Sequence, residues 1–196
     1  MQYQPFFDDI EPIVLVDELA KFLGVNDTGT IEITYLDIVK TAGHSCGTVA
    51  GAYLSALLGL NALFPNEAPK RGEVKVALKR TPTQENAGVV GCVLSNITGA
   101  TTDYGFGGIP GGKFCRRELL FYGADIETDI RFTRLDTGKS IGVNYHPHKV
   151  VNPMKILMSA IGENATPEDI ASFPQRFQAM VKTLFENKET VIEICT

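Results

Sequence analysis

The chain has 196 residues, of which 44% are hydrophobic, and 18 Lys and Arg against 23 Asp and Glu give a net charge of −5. A chain of this length is typical of one domain, which buries about 70% of its unfolded surface without disulfides or metals. The composition excludes a disordered chain, and the acidic balance argues against a nucleic-acid-binding protein. The longest nearly apolar run, residues 52–64, is shorter than the roughly 20 residues of a membrane-spanning helix, so we expect no membrane segment.

Hydrophobic spacing predicts the elements of the first half of the chain. Residues 9–23 have apolar positions three and four apart behind a capping Asp9, which favours a helix. Alternation of apolar and polar residues from Ile31 to Tyr35 predicts a half-buried strand. The remaining predicted elements are a helix over 47–64, a strand over 73–80 and a buried helix over 88–98.

The second half begins with a loop, residues 105–112, in which five of eight residues are glycine and nothing regular can form. The turn Asp136-Thr137-Gly138 predicts a hairpin within a run of strands at 117–123, 128–135 and 139–146. Two helices follow in residues 152–187, the second kinked or split by Pro174, and an edge strand at 191–195 ends the chain.

This order of elements predicts the fold class. Consecutive strands followed by helices favour an α+β fold over a doubly wound parallel sheet. We expect a mixed or antiparallel sheet with helices packed on it, in a single domain that covers residues 1–196.

Cysteine usage and the N-terminus suggest the compartment. Four cysteines without a Cys-x-x-Cys pair predict neither a disulfide scaffold nor a zinc ribbon. The N-terminal residues lack the basic and apolar regions of a signal peptide. We therefore expect a cytoplasmic protein with reduced thiols.

The strongest candidate site lies where Gly43-His44-Ser45-Cys46-Gly47 enters the helix of residues 47–64. A cysteine at a helix N-terminus faces the positive end of the dipole, which favours the thiolate that binds metals or attacks electrophiles. The imidazole of His44 suits a second ligand or a base. The alternative is a cysteine packed as a small hydrophobe and a histidine bonded to the backbone.

Further candidate ligands lie later in the chain. His146 and His148 flank Pro147 at the end of a predicted strand, where both side chains can point to one face, as in zinc or iron sites. Two solvated histidines are the alternative. Cys115 precedes Arg116 and Arg117, whose charges favour a thiolate.

The glycine-rich loop of residues 105–112 is interpreted as a flap or close-packed turn beside the Cys/His site. Gly107 and Gly108 are its candidate cofactor-binding residues, although the loop does not open a helix as a dinucleotide-binding fingerprint would. Cys92, within the predicted buried helix, is expected to be a core residue, and Cys195 is expected to have no role in the site.

Three segments occur in a distinctive order: Gly43-His44-x-Cys46 before a small-residue helix, Ile97-Thr98-Gly99 before the glycine-rich loop, and the hairpin Phe132 to Lys139. Together they resemble the FmdE-like family, which is named after a component of formylmethanofuran dehydrogenase, over roughly residues 36–145. Two positions depart from that pattern: Gly47 replaces a proline, and Ala100 replaces the cysteine of Thr-Gly-Cys.

The resemblance implies a homodimeric α+β core with a Cys/His metal site facing a cavity, and His44 and Cys46 match the family's motif residues. We expect a metal-binding protein of one-carbon or redox metabolism that also takes a small-molecule ligand. Zinc, or alternatively iron, would be held by His44, Cys46 and a third ligand from among Cys115, His146 and His148. The alternatives are a metal-free thiol enzyme, with Cys46 as nucleophile and His44 as base, and a non-catalytic accessory subunit.

Overall fold

Strands in two sheets form the framework of the computed structural model, which describes residues 2–196. In chain order they are β1 (Ile13–Val16), β2 (Thr30–Ile33), β3 (Val74–Leu78), β4 (Leu120–Phe121), β5 (Ile130–Arg134), β6 (Ser140–Tyr145) and β7 (Ile192–Cys195). β1 and β2 form an antiparallel pair. The others form one mixed sheet in the order β4-β3-β5-β6-β7, in which β3 and β4 are parallel and the other pairs antiparallel.

The helices pack against these sheets. They are α1 (Glu18–Phe22), α2 (Tyr35–Ala42), α3 (Gly47–Leu63), α4 (Ala87–Thr98), α5 (Pro153–Ile161), α6 (Pro167–Glu186) and α7 (Lys188–Val191). Two helices, α2 and α6, begin with a reciprocal cap, in which two side chains each accept a hydrogen bond from the other residue's backbone N–H. The pairs are Thr34 with Asp37 in α2 and Thr166 with Asp169 in α6. Within the part of the chain that is described, no helix has both the length and the apolar character needed to cross a membrane.

Helix α3 lies at the centre of the core. Its residues are mostly apolar and 12 of the 17 are buried, as expected for a helix covered on most of its faces. It contacts α2, α4 and α6 as well as the strands β5, β6 and β7. Gly59 lets the Phe132 ring of β5 approach closely, since a Cβ atom there would lie 2.9 Å from the ring.

Most predicted elements are confirmed. The α+β fold is present, and α3, α4, β3, β5 and β6 lie within one or two residues of the predicted bounds or inside them. The hairpin turn between β5 and β6 places Gly138 at a φ of 73°, a left-handed conformation that glycine adopts without strain. β7 pairs with β6 at the edge of the sheet, as predicted.

The prediction of a helix over residues 9–23 is wrong. The run Ile13–Val16, in which three of the four residues are β-branched, forms strand β1, which pairs with β2, and the helix is confined to α1. Asp17, rather than Asp9, is the cap, because its side chain accepts from the backbone N–H groups of Leu19 and Ala20. The apolar spacing fitted a helix, but the pairing with β2 determines the structure.

Three other predictions need correction. Tyr35 begins α2 instead of ending a strand, since the Thr34 cap terminates the extended segment. The predicted strand over residues 117–123 is only the two-residue β4, and it pairs in parallel with β3. Pro174 does not split α6, which runs continuously over Pro167–Glu186.

Candidate functional site

The segment before Cys46 is set by the end of α2. Gly43 follows the helix in a left-handed conformation with a φ of 78°, and His44 and Ser45 lead into Cys46. Cys46 is extended, with φ −149° and ψ 174°, and is the residue that caps α3 without a side-chain cap bond. The end of α2 and the start of α3 therefore position His44 and Cys46.

Cys46 is half-buried against the core and lies near two tyrosines. The hydroxyl groups of Tyr35 and Ser45 share a hydrogen bond of 2.9 Å, and the Tyr145 hydroxyl donates to the Gly47 carbonyl at 2.8 Å. Burial raises the pKa of both tyrosines well above the ordinary value, and a negative charge on Cys46 raises it further. Both phenols are therefore neutral at physiological pH.

His44 is exposed, and its Nδ1 atom lies 3.0 Å from the Ala42 carbonyl oxygen. Because a carbonyl only accepts, this geometry assigns the proton to Nδ1 and leaves Nε2 as the open nitrogen. The backbone bond corresponds to the structural alternative considered from the sequence, although the open Nε2 can still act as a base or ligand.

The remaining predicted ligands lie in different surroundings. His146 bonds the Glu193 carboxylate of β7 at 2.9 Å, whereas His148 is exposed in a 3₁₀ turn over Pro147–Lys149. The prediction of a His-x-His pair on a strand is therefore wrong, because β6 ends at Tyr145. Cys115 is exposed next to the glycine-rich loop. Over residues 2–196, no group of three or more His, Cys, Asp or Glu side chains is arranged to hold a metal ion.

The glycine-rich loop is held by the segment that follows it. Arg117 donates to the Gly105 carbonyl at 2.9 Å, and Gly108 packs against the backbone of Lys113 and Cys115. Gly107 lies beside the Arg117 guanidinium, so the loop is a close-packed turn in which both candidate glycines contact the chain itself. Cys92 is exposed on α4, which corrects its prediction as a core residue.

A cavity that the sequence did not predict lies beside α3. It has a volume of about 610 Å³ and is bounded by α3, the start of α4, the sheet and the connection from β6 to α5. We call it the α3 cleft. Its apolar floor is lined by Gly51, Ala52, Leu78, Ala87, Val90 and Ile130.

The rim of the α3 cleft is polar. Arg80 donates to Asp129 at 2.7 Å and lies 2.9 Å from a Glu85 carboxylate oxygen. The hydrogen bond to Asp129 is the main reason that the pKa of Arg80 is raised. Asn86 bonds the Thr48 hydroxyl at 3.2 Å, and His148 completes the rim.

A buried hydroxyl group, that of Ser55, also lines the α3 cleft. The residue is 1% exposed and lines the cleft, and its Oγ atom has no hydrogen-bond partner among residues 2–196. Buried polar groups are nearly always hydrogen-bonded, so an unpaired one at a cavity indicates a place for a ligand or water.

Tyr145 separates the α3 cleft from the surroundings of Cys46. It lines the cleft, while its hydroxyl bonds Gly47 beside Cys46. Gly51 makes room for the ring, because a Cβ atom there would overlap it.

Comparison with known proteins identifies no family for this chain. The chain matches no family model, and the curated proteins contain no significant match to it. The resemblance to the FmdE-like proteins therefore depends on its three sequence motifs.

Proposed function

We propose that this protein binds a small organic ligand in the α3 cleft. The observation that carries the proposal is a cavity of about 610 Å³ with an apolar floor and a polar rim. Binding sites for small molecules have volumes of roughly 300–1,000 Å³, with mostly apolar walls and a few polar groups that orient the ligand.

The rim residues come from segments that are distant in the sequence. Thr48 belongs to α3, Arg80 follows β3, Asn86 precedes α4 and His148 follows β6. The pairs Arg80–Asp129 and Asn86–Thr48 fix the rim by side-chain bonds between these segments. A rim held in this way is preorganised, which lowers the entropy that a ligand must lose on binding.

Binding can be tested by titrating methyl-labelled protein with one- and two-ring aromatic fragments and following the methyl signals of Ala52, Val90 and Ile130. We expect shifts at these positions for at least one fragment. Val90→Phe should weaken binding by narrowing the cleft, whereas Val89→Phe should not, because Val89 is similarly half-buried but does not line the cleft. Absence of shifts with every fragment, or unchanged binding in Val90→Phe, would refute the proposal.

A second candidate function is a metal or thiol centre at Cys46, as the resemblance to the FmdE-like family implies. It is supported by the position of Cys46 at the N-terminus of the 17-residue α3, where no side chain caps the helix. The open Nε2 of His44 also supports it. Zinc, or alternatively iron, is the proposed metal, and the third ligand is among Cys115, His146 and His148.

Elemental analysis tests the metal. Metal content should fall in His44→Ala and Cys46→Ser and stay unchanged in Cys92→Ser, which removes an exposed cysteine on α4. Unchanged metal content in the first two variants would exclude these ligands.

If no metal is found, the rate of Cys46 alkylation against pH tests a metal-free thiol enzyme, which requires a thiol that titrates below about 8.5.

We also propose a homodimer in the cytoplasm, with an accessory-subunit role as the alternative to catalysis. All four cysteines are free thiols, which is typical of proteins from reducing compartments. Light scattering on the purified protein measures the oligomeric state directly.

A further inference from the structure

Ser55 differs from five hydroxyl residues that hydrogen-bond within their own helices. Thr41, Thr98, Ser159, Ser172 and Thr183 each donate to a carbonyl three or four residues earlier, at 2.7–3.0 Å. This bond is the usual way in which a helical Ser or Thr satisfies its hydroxyl. The Ser55 hydroxyl makes no such bond, although it is as buried as the hydroxyl of Thr98.

The residues around Ser55 offer its hydroxyl few other hydrogen-bond partners. The floor of the α3 cleft around it consists of apolar side chains and a glycine, including Gly51, Ala52 and Ile130. The Tyr145 hydroxyl is already bonded to the Gly47 carbonyl. In the orientation that the structure shows, the hydrogen-bonding atom that satisfies Ser55 therefore comes from a molecule in the cleft.

The charged groups at the rim limit the charge of that molecule. Arg80 already bonds Asp129 and lies within 2.9 Å of Glu85, so its positive charge is matched by two carboxylates. An anion would have to displace one of these carboxylates and would face the other. The rim therefore disfavours an anion, and the apolar floor around Ser55 disfavours a charge of either sign at the buried end of the ligand.

We propose that Ser55 is a specificity-determining residue of the α3 cleft. Resting on the proposed function, the inference names the ligand class: an uncharged, ring-sized, mostly apolar molecule with a hydrogen-bonding heteroatom at its buried end. A hydroxyl both donates and accepts, so either a donor or an acceptor on the ligand satisfies it. A site built to bond such a group discriminates strongly against an analogue that lacks it.

Three probes of nearly equal shape test this inference: indole, with a donor, benzofuran, with an acceptor, and indene, with neither. Affinities are measured from the methyl signals of the cleft. In the native protein, indole or benzofuran should bind at least about tenfold more tightly than indene. In Ser55→Ala this preference should fall to less than about twofold, while Ser95→Ala, at a half-buried helical serine outside the cleft, should keep it.

Stability gives a second readout. Ser55→Ala removes an unpaired buried hydroxyl and should leave the thermal midpoint of the ligand-free protein unchanged or raised. A lowered midpoint would mean that the hydroxyl has a structural partner, and it would overturn the inference. Tighter binding of indole-2-carboxylate than of indole would overturn the choice of an uncharged ligand.

The two proposals fail in different ways. If no probe or fragment shifts the methyl signals, the α3 cleft is not a binding site, and both proposals are wrong. If the probes bind but indene binds as tightly as the other two, the proposed function stands. Ser55 is then satisfied by water, and the inference about the ligand class is wrong.

Discussion

Asp17 shows how a single buried carboxylate connects distant parts of the chain. It is 3% exposed, and it accepts from Arg71 at 2.9 Å and from Arg116 at 2.7 Å. The same carboxylate caps α1. It therefore links the start of α1 to the segment before β3 and to the residues after the glycine-rich loop.

We expect Asp17→Asn to destabilise the protein by about 3 kcal/mol at pH 7, because it leaves the buried Arg116 guanidinium without a counter-charge. Asparagine still caps a helix, so the loss reports the charge rather than the cap. Asp17→Ala should cost about 1 kcal/mol more, since the cap is also lost. Urea unfolding measures both, with exposed Asp103→Asn as the control.

The loss of unfolding free energy in Asp17→Asn should depend on pH. Burial by itself would raise the pKa of Asp17, but the hydrogen bond from Arg71 and the charge of Arg116 outweigh it and hold the pKa below the ordinary value of 3.8. The unfolded chain therefore binds this proton more readily. The stabilisation is complete above pH 3.8 and is lost as the pH falls from there through the lower pKa of the folded state. A stability difference that does not narrow on acidification would contradict this account.

At the scale of elements, the glycines of α3 determine how closely the sheet approaches the helix. A Cβ atom at Gly51 would meet the Tyr145 ring of β6, and one at Gly59 would meet Phe132 of β5. Gly47 has more space, because the nearest atoms to its Cβ position are 3.8–4.0 Å away. The three positions thus differ in packing although all are glycine in one helix.

We expect Gly51→Ala to destabilise the protein by about 1–3 kcal/mol, because the tyrosine ring must move, even though alanine favours a helix. Gly47→Ala should be neutral or stabilising by up to about 1 kcal/mol. Thermal unfolding of the two variants provides a matched comparison. Equal stability of Gly51→Ala and Gly47→Ala would show that Tyr145 is not tightly packed against α3.

The sequence predicted the elements whose hydrophobic period agrees with their packing, such as α3 and the hairpin of β5 and β6. It failed over residues 9–23, where the same apolar spacing fits a helix but the mostly β-branched run Ile13–Val16 pairs with β2. The local motif of His44 and Cys46 was visible in the sequence. The α3 cleft was not, because Ser55, Arg80 and Asp129 come together only after packing.

At the scale of the whole molecule, the last residues of the chain belong to the same core as the first. The buried cluster runs from Phe7 to Ile192, and β7 lies against β6 and α3. Tyr35 of α2 packs on Phe185 of α6 with ring centroids 4.6 Å apart. A core shared in this way predicts that the chain unfolds as one unit.

Val191 tests this coupling, because it is 0% exposed yet only five residues from the C-terminus. We expect Val191→Ala to lower the global free energy of unfolding by about 2 kcal/mol, through two lost methyl groups and the cavity they leave. The same substitution at Val14, which is 42% exposed on β1, should cost less than about 0.5 kcal/mol.

The chain has no tryptophan, so near-ultraviolet circular dichroism of the buried tyrosines reports the core and far-ultraviolet circular dichroism reports the helices. Both signals should shift together in Val191→Ala. A variant that loses far-ultraviolet signal at lower denaturant while the tyrosine transition stays unchanged would mean that helices unfold separately from the core around the buried tyrosines.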